Sequence, residues 1–211
     1  EITYGDWSSD VCSSDLRIGP STRLVYEAGS GDLVSCLGPL GRPFSLVSPP
    51  AEAWMVAGGV GLAPFATLAE ALRARSVRCT LFYGARTNAE LFYLDFFLSL
   101  GVELVLTTED GSAGEPGRVI APLDRRLGGH DAAHPVTVYA CGPEGMLAAC
   151  AKAAARHHRP CEVSVERVMA CGMGGCYSCV VPMKGPDGQR HHVRSCLAGP
   201  VLAADEIVWD R

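Results

Sequence analysis

Ala53-Trp54-Met55-Val56-Ala57-Gly58-Gly59-Val60-Gly61-Leu62-Ala63-Pro64 is the stretch from which the architecture can be read. Its first five residues form a short apolar run, as a buried strand does, and three glycines then break the run. Beyond Pro64, Phe65, Leu68, Ala69 and Leu72 recur at helical spacing. The order is therefore strand, glycine turn and helix. Such a turn brings backbone N–H groups and the positive end of a helix up to a phosphate, although the third glycine of the usual dinucleotide fingerprint is absent.

The same alternation continues outward. Residues 79–83, 103–108 and 136–140 read as strands, and 89–100, 120–127 and 144–156 as helices. Repeated βα units predict an α/β fold with a parallel sheet covered on both faces. The strands end in Gly84-Ala85-Arg86, Thr108-Glu109-Asp110-Gly111 and Cys141-Gly142-Pro143. Polar and glycine residues thus gather at the C-terminal edge, where open α/β sheets bind ligands, and this edge is the predicted nicotinamide site; the alternative is a set of ordinary βα loops. Pro143 and Glu144 suit a helix start, and Arg156, His157 and His158 suit its end as partners of the helix dipole. His191 and His192, inside the polar segment 184–194, read as part of a solvated hairpin.

The C-terminal fifth carries a different signal. Cys171, Cys176, Cys179 and Cys196 are spaced C-x4-C-x2-C with sixteen residues before the fourth, the thiolate set that a [2Fe–2S] cluster takes. Gly172, Gly174 and Gly175 allow the loop to curl and aim N–H groups at sulfur. A disulfide framework belongs to shorter secreted chains, and a structural zinc site usually pairs two C-x2-C knuckles where this chain has one. Cys36, Cys79, Cys150 and Cys161 stand singly among apolar or small neighbours and read as buried, inert thiols.

Composition excludes other classes. With 48% hydrophobic residues, 19% charged residues and a formal charge of −5, the chain has the balance of a globular protein and no basic surface for nucleic acid. The longest apolar runs, such as residues 60–71, are interrupted by Gly, Pro or charge, so no membrane span is expected. A cytoplasmic location, where thiols stay reduced, is the expectation. Residues 1–16 are polar, aperiodic and serine-rich; they resemble a translated sequencing adapter or a disordered tail, neither of which buries a core. On the adapter reading a native N-terminal region has been lost.

Residues 17–44 look β-like. Arg23-Leu24-Val25-Tyr26 and Leu33-Val34-Ser35-Cys36-Leu37 are separated by Gly29-Ser30-Gly31-Asp32 and closed by Gly38-Pro39-Leu40-Gly41. Two or three such strands make at most a remnant of an antiparallel barrel. The expected organisation is a non-native or disordered segment over 1–16, a partial barrel over 17–50, the α/β domain over 51–160 and a cysteine module over 161–211.

Seven motifs occur in this order: Gly38-Pro39-Leu40-Gly41-x-x-Phe44, Gly58-Gly59-Val60-Gly61, Tyr83-Gly84-Ala85-Arg86, Asp110-Gly111-Ser112-Ala113-Gly114, Cys141-Gly142-Pro143-Glu144-Gly145-Met146-Leu147, Glu166-x-x-Met169-Ala170-Cys171-Gly172 and Cys196-x-x-Gly199-Pro200-Val201. Together, over about residues 17–211, they resemble the electron-transfer subunit of the NAD-dependent dihydroorotate dehydrogenase, within the ferredoxin reductase superfamily. The resemblance implies an FAD-binding barrel, an NAD-binding α/β domain and one [2Fe–2S] cluster. It also implies a partner, an FMN-containing catalytic subunit, in a heterotetramer serving pyrimidine biosynthesis. Electrons from dihydroorotate would pass from FMN through the cluster and FAD to NAD. By this similarity Cys171, Cys176, Cys179 and Cys196 ligate iron, and Gly58, Gly59 and Gly61 approach the dinucleotide, with Gly84, Arg86, Asp110, Gly142 and Pro143 along the same edge. Cys141 would lie near the nicotinamide and flavin rings, or be a small buried residue at a strand end.

Ser21 and Thr22 look like the phosphate-contacting pair of the flavin site. Arg42-Pro43-Phe44-Ser45 imitates the family's flavin motif but follows the Gly-Pro-Leu-Gly turn instead of preceding it, so the true counterpart is missing and poor FAD binding is expected of the chain. Arg86 could face a 2′-phosphate or be a solvated loop cation. The alternatives are a related reductase subunit serving ferredoxin, sulfide or hydrogenase partners, a non-enzymatic metal-binding module, and a plain one-flavin reductase.

Overall fold

The structure, a computed structural model, describes residues 20–35 and 38–209. The expected non-native segment 1–16 and the reading of Cys36 as buried lie outside the described residues. The chain divides into two compact units, residues 1–39 and 40–211.

In the first unit, Pro20–Glu27 is a helix, α1. The expected strand over residues 23–26 is therefore corrected. Pro20 presets the φ of a first helical turn, and a strand is stable only against a partner that supplies its ladder. A turn follows, in which the Gly29 N–H donates to Asp32 Oδ2 at 2.7 Å and the Asp32 N–H returns to the Gly29 carbonyl at 3.1 Å. Residues 33–35 join no ladder, and Leu33 and Val34 are exposed. The barrel remnant expected here has no paired strands among the described residues.

The second unit is built on a seven-stranded sheet. Its strands are β1 (Glu52–Gly58), β2 (Cys79–Ala85), β3 (Glu103–Thr108), β4 (Glu115–Pro116), β5 (Val136–Cys141) and β6 (Cys161–Ser164), and β9 (Val201–Ala203) from near the C-terminus. The order is β4-β3-β2-β1-β5-β6-β9, parallel throughout except for the antiparallel β6–β9 pair. Between the strands run α2 (Ala63–Ala74), α3 (Leu94–Ser99), α4 (Ile120–Gly129) and α5 (Glu144–Arg156).

The alternation in β1 explains the layers. Trp54 and Val56 face a core with Phe82, Leu123, Leu127, Val138 and Leu147, while Ala53, Met55 and Ala57 face one with Phe65, Leu72, Leu81, Phe97 and Tyr139. Thus α4 and α5 cover one face and α2 and α3 the other, as the unbroken apolar run of a doubly covered strand requires. Burial pushes the Cys79 thiol up to about 11 and the Cys161 thiol to about 12, and raises Cys150 well above its usual value, in keeping with inert thiols. His157 Nε2 lies 3.0 Å from Asp124 Oδ1 and Arg156 Nη1 2.8 Å from the same carboxylate, so the end of α5 is fastened to α4.

β7 (Val180–Lys184) and β8 (Arg190–Arg194) form an antiparallel hairpin in which His191 and His192 are exposed, as expected of a solvated turn region. The one-turn helix α6 (Ser195–Ala198) follows and carries Cys196. β9 then returns the chain to the edge of the main sheet, with Val163 opposite Leu202. The cysteine segment is therefore held at both ends by the sheet that carries the glycine turn.

Candidate functional site

After β1 the chain builds outward to β4 and then returns to the other side of β1 as β5, so the point where strand order reverses lies between β1 and β5. Their C-terminal ends bring together the glycine turn and Cys141-Gly142-Pro143. Ala57 pairs with Cys141. The approach is too close for side chains. A Cβ on Gly61 would strike the Cys141 carbonyl group, and one on Gly58 would lie 2.7 Å from Met146 Sδ and 3.0 Å from Pro143 Cδ. Gly59 has φ +54° with nothing within 4 Å of the position a Cβ would take, so its backbone borders open space. Val60 is 78% exposed at the tip of this turn. The Cys141 thiol is raised by burial, opposed by a hydrogen bond from Ser164.

Gly84 closes β2, with a would-be Cβ 3.0 Å from Val119 Cβ. Arg86 points along the edge but is already engaged: its Nε lies 3.1 Å from Glu90 Oε2, its Nη2 bonds Glu90 Oε1, and its N–H donates to Glu90 Oε2 at 3.2 Å. The arginine holds the Glu90 carboxyl below its usual range. Asp110 accepts the Ser112 N–H at 2.9 Å and hydroxyl at 2.6 Å, bonds that keep its carboxyl low, and Ser112 Oγ accepts the Asn88 N–H at 2.7 Å. Asp110 thus fastens the loop after β3 to the loop after β2. Ser21 and Thr22 lie on α1 in the other compact unit.

The four cysteines come together as two pairs. Cys171 Sγ accepts the N–H groups of Met173 at 3.4 Å and Gly175 at 3.3 Å. Hydrogen bonds from Ser178, whose Oγ is 2.8 Å from the sulfur, and then from Cys171 lower the Cys176 thiol to about 6. Cys179 is lowered chiefly by the Cys196 backbone N–H, while burial and then the neighbouring Cys179 raise Cys196. Positive φ at Gly172 (+67°) and Gly174 (+82°) lets the loop wrap, and a Cβ on Gly174 would lie 2.6 Å from Leu197 Cδ1. Among the described residues, no group of three or more His, Cys, Asp or Glu side chains is placed to hold a single metal ion. The donor set fits a cluster: four thiols in two pairs, two of them acidified, with N–H groups already aimed at the Cys171 sulfur.

Sequence reasoning missed the link between these two regions. Arg167 Nη1 reaches Glu144 Oε2 at 3.3 Å, joining the start of the cysteine segment to the start of α5. A cavity of about 320 Å3 opens beside that ion pair, bounded by Gly142, Glu144 and Leu147 on one side and Glu166, Arg167 and Trp209 on the other. Local pattern holds no signal for a contact between two charges on a helix start and a distant coil. Val168, Met169, Met173, Tyr177 and Leu197, neighbours of the cysteines along the chain, are all exposed.

Comparisons with known proteins converge on these parts. Residues 55–152 match the oxidoreductase NAD-binding domain, and residues 166–208 match the iron-sulfur cluster binding domain of dihydroorotate dehydrogenase B. The chain is 38% identical over 192 residues to the dihydroorotate dehydrogenase B (NAD(+)) electron transfer subunit of Geobacillus kaustophilus, a match covering 90% of this chain and 71% of that protein. It is 34% identical over 193 residues to the equivalent subunit of Desulforamulus reducens, covering 92% and 72%. Among solved structures, an NADH-dependent reduced ferredoxin-NADP oxidoreductase, described for flavin-based electron bifurcation, superposes with a TM-score of 0.73 at 30% identity, covering 91% of this chain and 66% of that one.

Proposed function

The chain belongs to the family of dihydroorotate dehydrogenase B (NAD(+)) electron transfer subunits, and from that premise we propose that it carries electrons from a dihydroorotate-oxidising partner to NAD+. The observation that carries this reading is the joining of the cysteine segment, at β6 and β9, to the sheet whose switch point holds the glycine turn. When bound, the cluster supplies one-electron transfer, and a flavin supplies the exchange between single electrons and the hydride of NADH.

This chain's own residues bind and orient. Cys171, Cys176, Cys179 and Cys196 would hold the cluster, and the Met173 and Gly175 amides would lower the charge density on sulfur. Gly58, Gly59 and Gly61 let the dinucleotide approach the backbone at the start of α2, with Gly84, Gly142 and Pro143 along the rim and Cys141 beside the reactive ring. NAD is favoured over NADP because Arg86 already has a carboxylate partner in Glu90, and a 2′-phosphate would have to compete with that anion. Ser21 and Thr22 are assigned to the FAD phosphate.

The partner is an FMN-containing catalytic subunit in a heterotetramer, docked on the apolar rim of Val168, Met169, Met173, Tyr177 and Leu197, since an exposed patch of this kind next to a redox site suits a contact that excludes water. The assembly is assigned to the cytoplasm. Among the described residues no helix is long and apolar enough to cross a membrane.

An anaerobic visible and EPR spectrum with iron and sulfide assay tests the reading. About two irons per chain and a signal on reduction with dithionite are expected; colourless protein containing zinc would overturn it. A related reductase subunit serving a ferredoxin is the second reading, favoured by the likeness to the ferredoxin-NADP oxidoreductase. Assays with either partner separate the two.

A further inference from the structure

Arg194 is the last residue of β8, two positions before Cys196, and its backbone is fixed by pairing with Val180. Its guanidinium does not turn to solvent. Nη1 donates to the Gly174 carbonyl at 2.7 Å, and the guanidinium carbon lies 4.7 Å from the centre of the Tyr177 ring. Among the described residues it forms no ion pair with a carboxylate.

The carbonyl that Arg194 holds belongs to the peptide whose N–H is that of Gly175, and this N–H donates to Cys171 Sγ at 3.3 Å. One peptide unit therefore has a cation on its oxygen and a ligand sulfur on its hydrogen. Hydrogen bonds in series polarise one another: a positive charge at the carbonyl draws electron density from the amide and strengthens its N–H as a donor. Leu197 lies against Gly174, with Cδ1 2.6 Å from the position a Cβ there would take.

We propose that Arg194 is a positioning residue that raises the reduction potential of the iron–sulfur site by polarising the Gly174–Gly175 peptide toward Cys171. The inference rests on the cluster reading given under Proposed function. N–H bonds to ligand sulfur and nearby positive charge both stabilise the reduced, more negative state. Tyr177 contributes by holding the guanidinium plane over its ring face, where the cation is attracted to the ring quadrupole.

The test is an EPR-monitored redox titration of the full chain, purified anaerobically, in wild type, Arg194→Lys, Arg194→Gln and Arg194→Met. Arg194→Gln keeps an N–H donor for the Gly174 carbonyl but no charge, and Arg194→Met keeps neither. The reduced-to-oxidised ratio at a fixed potential should fall roughly tenfold in Arg194→Met, a negative shift of about 59 mV for a one-electron couple. Arg194→Gln should fall less, and Arg194→Lys should stay nearest to wild type. An unchanged potential in both neutral variants overturns the proposal. Where Arg194→Met does not hold its cluster, Arg194→Gln is titrated in its place. Loss of cluster from both neutral variants, with Arg194→Lys holding it at the wild-type potential, would also overturn it in favour of a purely structural clamp. A wild-type chain without iron would instead defeat the cluster reading itself.

Discussion

Replacing Gly61 with alanine tests the closeness of the two loops at the switch point. The new Cβ would lie 2.5 Å from the Cys141 carbonyl carbon and 2.7 Å from the Gly142 nitrogen. Ordinary contact needs a separation about 1 Å greater, and every atom involved is backbone, so no side chain can rotate out of the way. The β5–α5 loop must shift by roughly that amount. Overpacking of this kind costs about 1–3 kcal/mol, which lowers the Tm of a chain of this size by roughly 2–12 °C. A displacement of roughly 1 Å at a site that orients a reacting ring can reduce turnover by about a hundredfold. Thermal unfolding, steady-state NADH oxidation and NADH titration of Gly61→Ala, with Gly145→Ala as control, measure these effects. Gly145 lies in the first turn of α5 with nothing within 4 Å of its would-be Cβ, so alanine there should be neutral or stabilise by up to about 1 kcal/mol. Equal Tm and NADH affinity in Gly61→Ala and wild type would refute the packing on which the nucleotide site is built.

In the cluster-free protein, Cys176 should be alkylated by iodoacetamide with half-maximal rate near pH 6, because its thiol is lowered to about 6 and the thiolate is present above that value; a midpoint near pH 9 would contradict the Ser178 and Cys171 hydrogen bonds. Glu90→Gln should release Arg86 and improve NADPH binding relative to NADH by about two- to fivefold, the range of an exposed ion pair, as read from the two dissociation constants. Leu123→Ala, in the core under α4, should cost about 2–5 kcal/mol in urea unfolding while leaving the visible spectrum intact.

The α/β class and most of the helices and strands from residue 51 to 160 were legible before any coordinates, because each follows from a short-range pattern, apolar periodicity broken by glycine; the helix expected over 89–100 is an exception, since α3 begins only at Leu94. The expectation for residues 23–26 went astray for a reason of the same kind. Arg23-Leu24-Val25-Tyr26 has strand-forming residues, but strand propensity expresses packing against a neighbour, and α1 forms behind Pro20 where no paired strand is present among the described residues. For Arg86 the sequence leaves two readings open, a partner for a 2′-phosphate or a loop cation, and its engagement by Glu90 could not be read from spacing that suits either.

What the sequence by itself determined is therefore the set of elements and the chemical types available: a glycine turn after a buried strand, and four thiols in a glycine-rich loop. Only the tertiary structure decided which groups meet. Gly61 faces Cys141 about eighty residues later because β1 and β5 become neighbours across the switch point. The cysteine segment joins the nucleotide sheet because β9 closes on β6, and Arg194 reaches Cys171 through a peptide twenty residues back because the β7–β8 hairpin returns it there. Periodicity arises from a few residues along the chain and survives in any context, whereas these contacts depend on strand order and register, which the chain acquires only when the whole core is buried together.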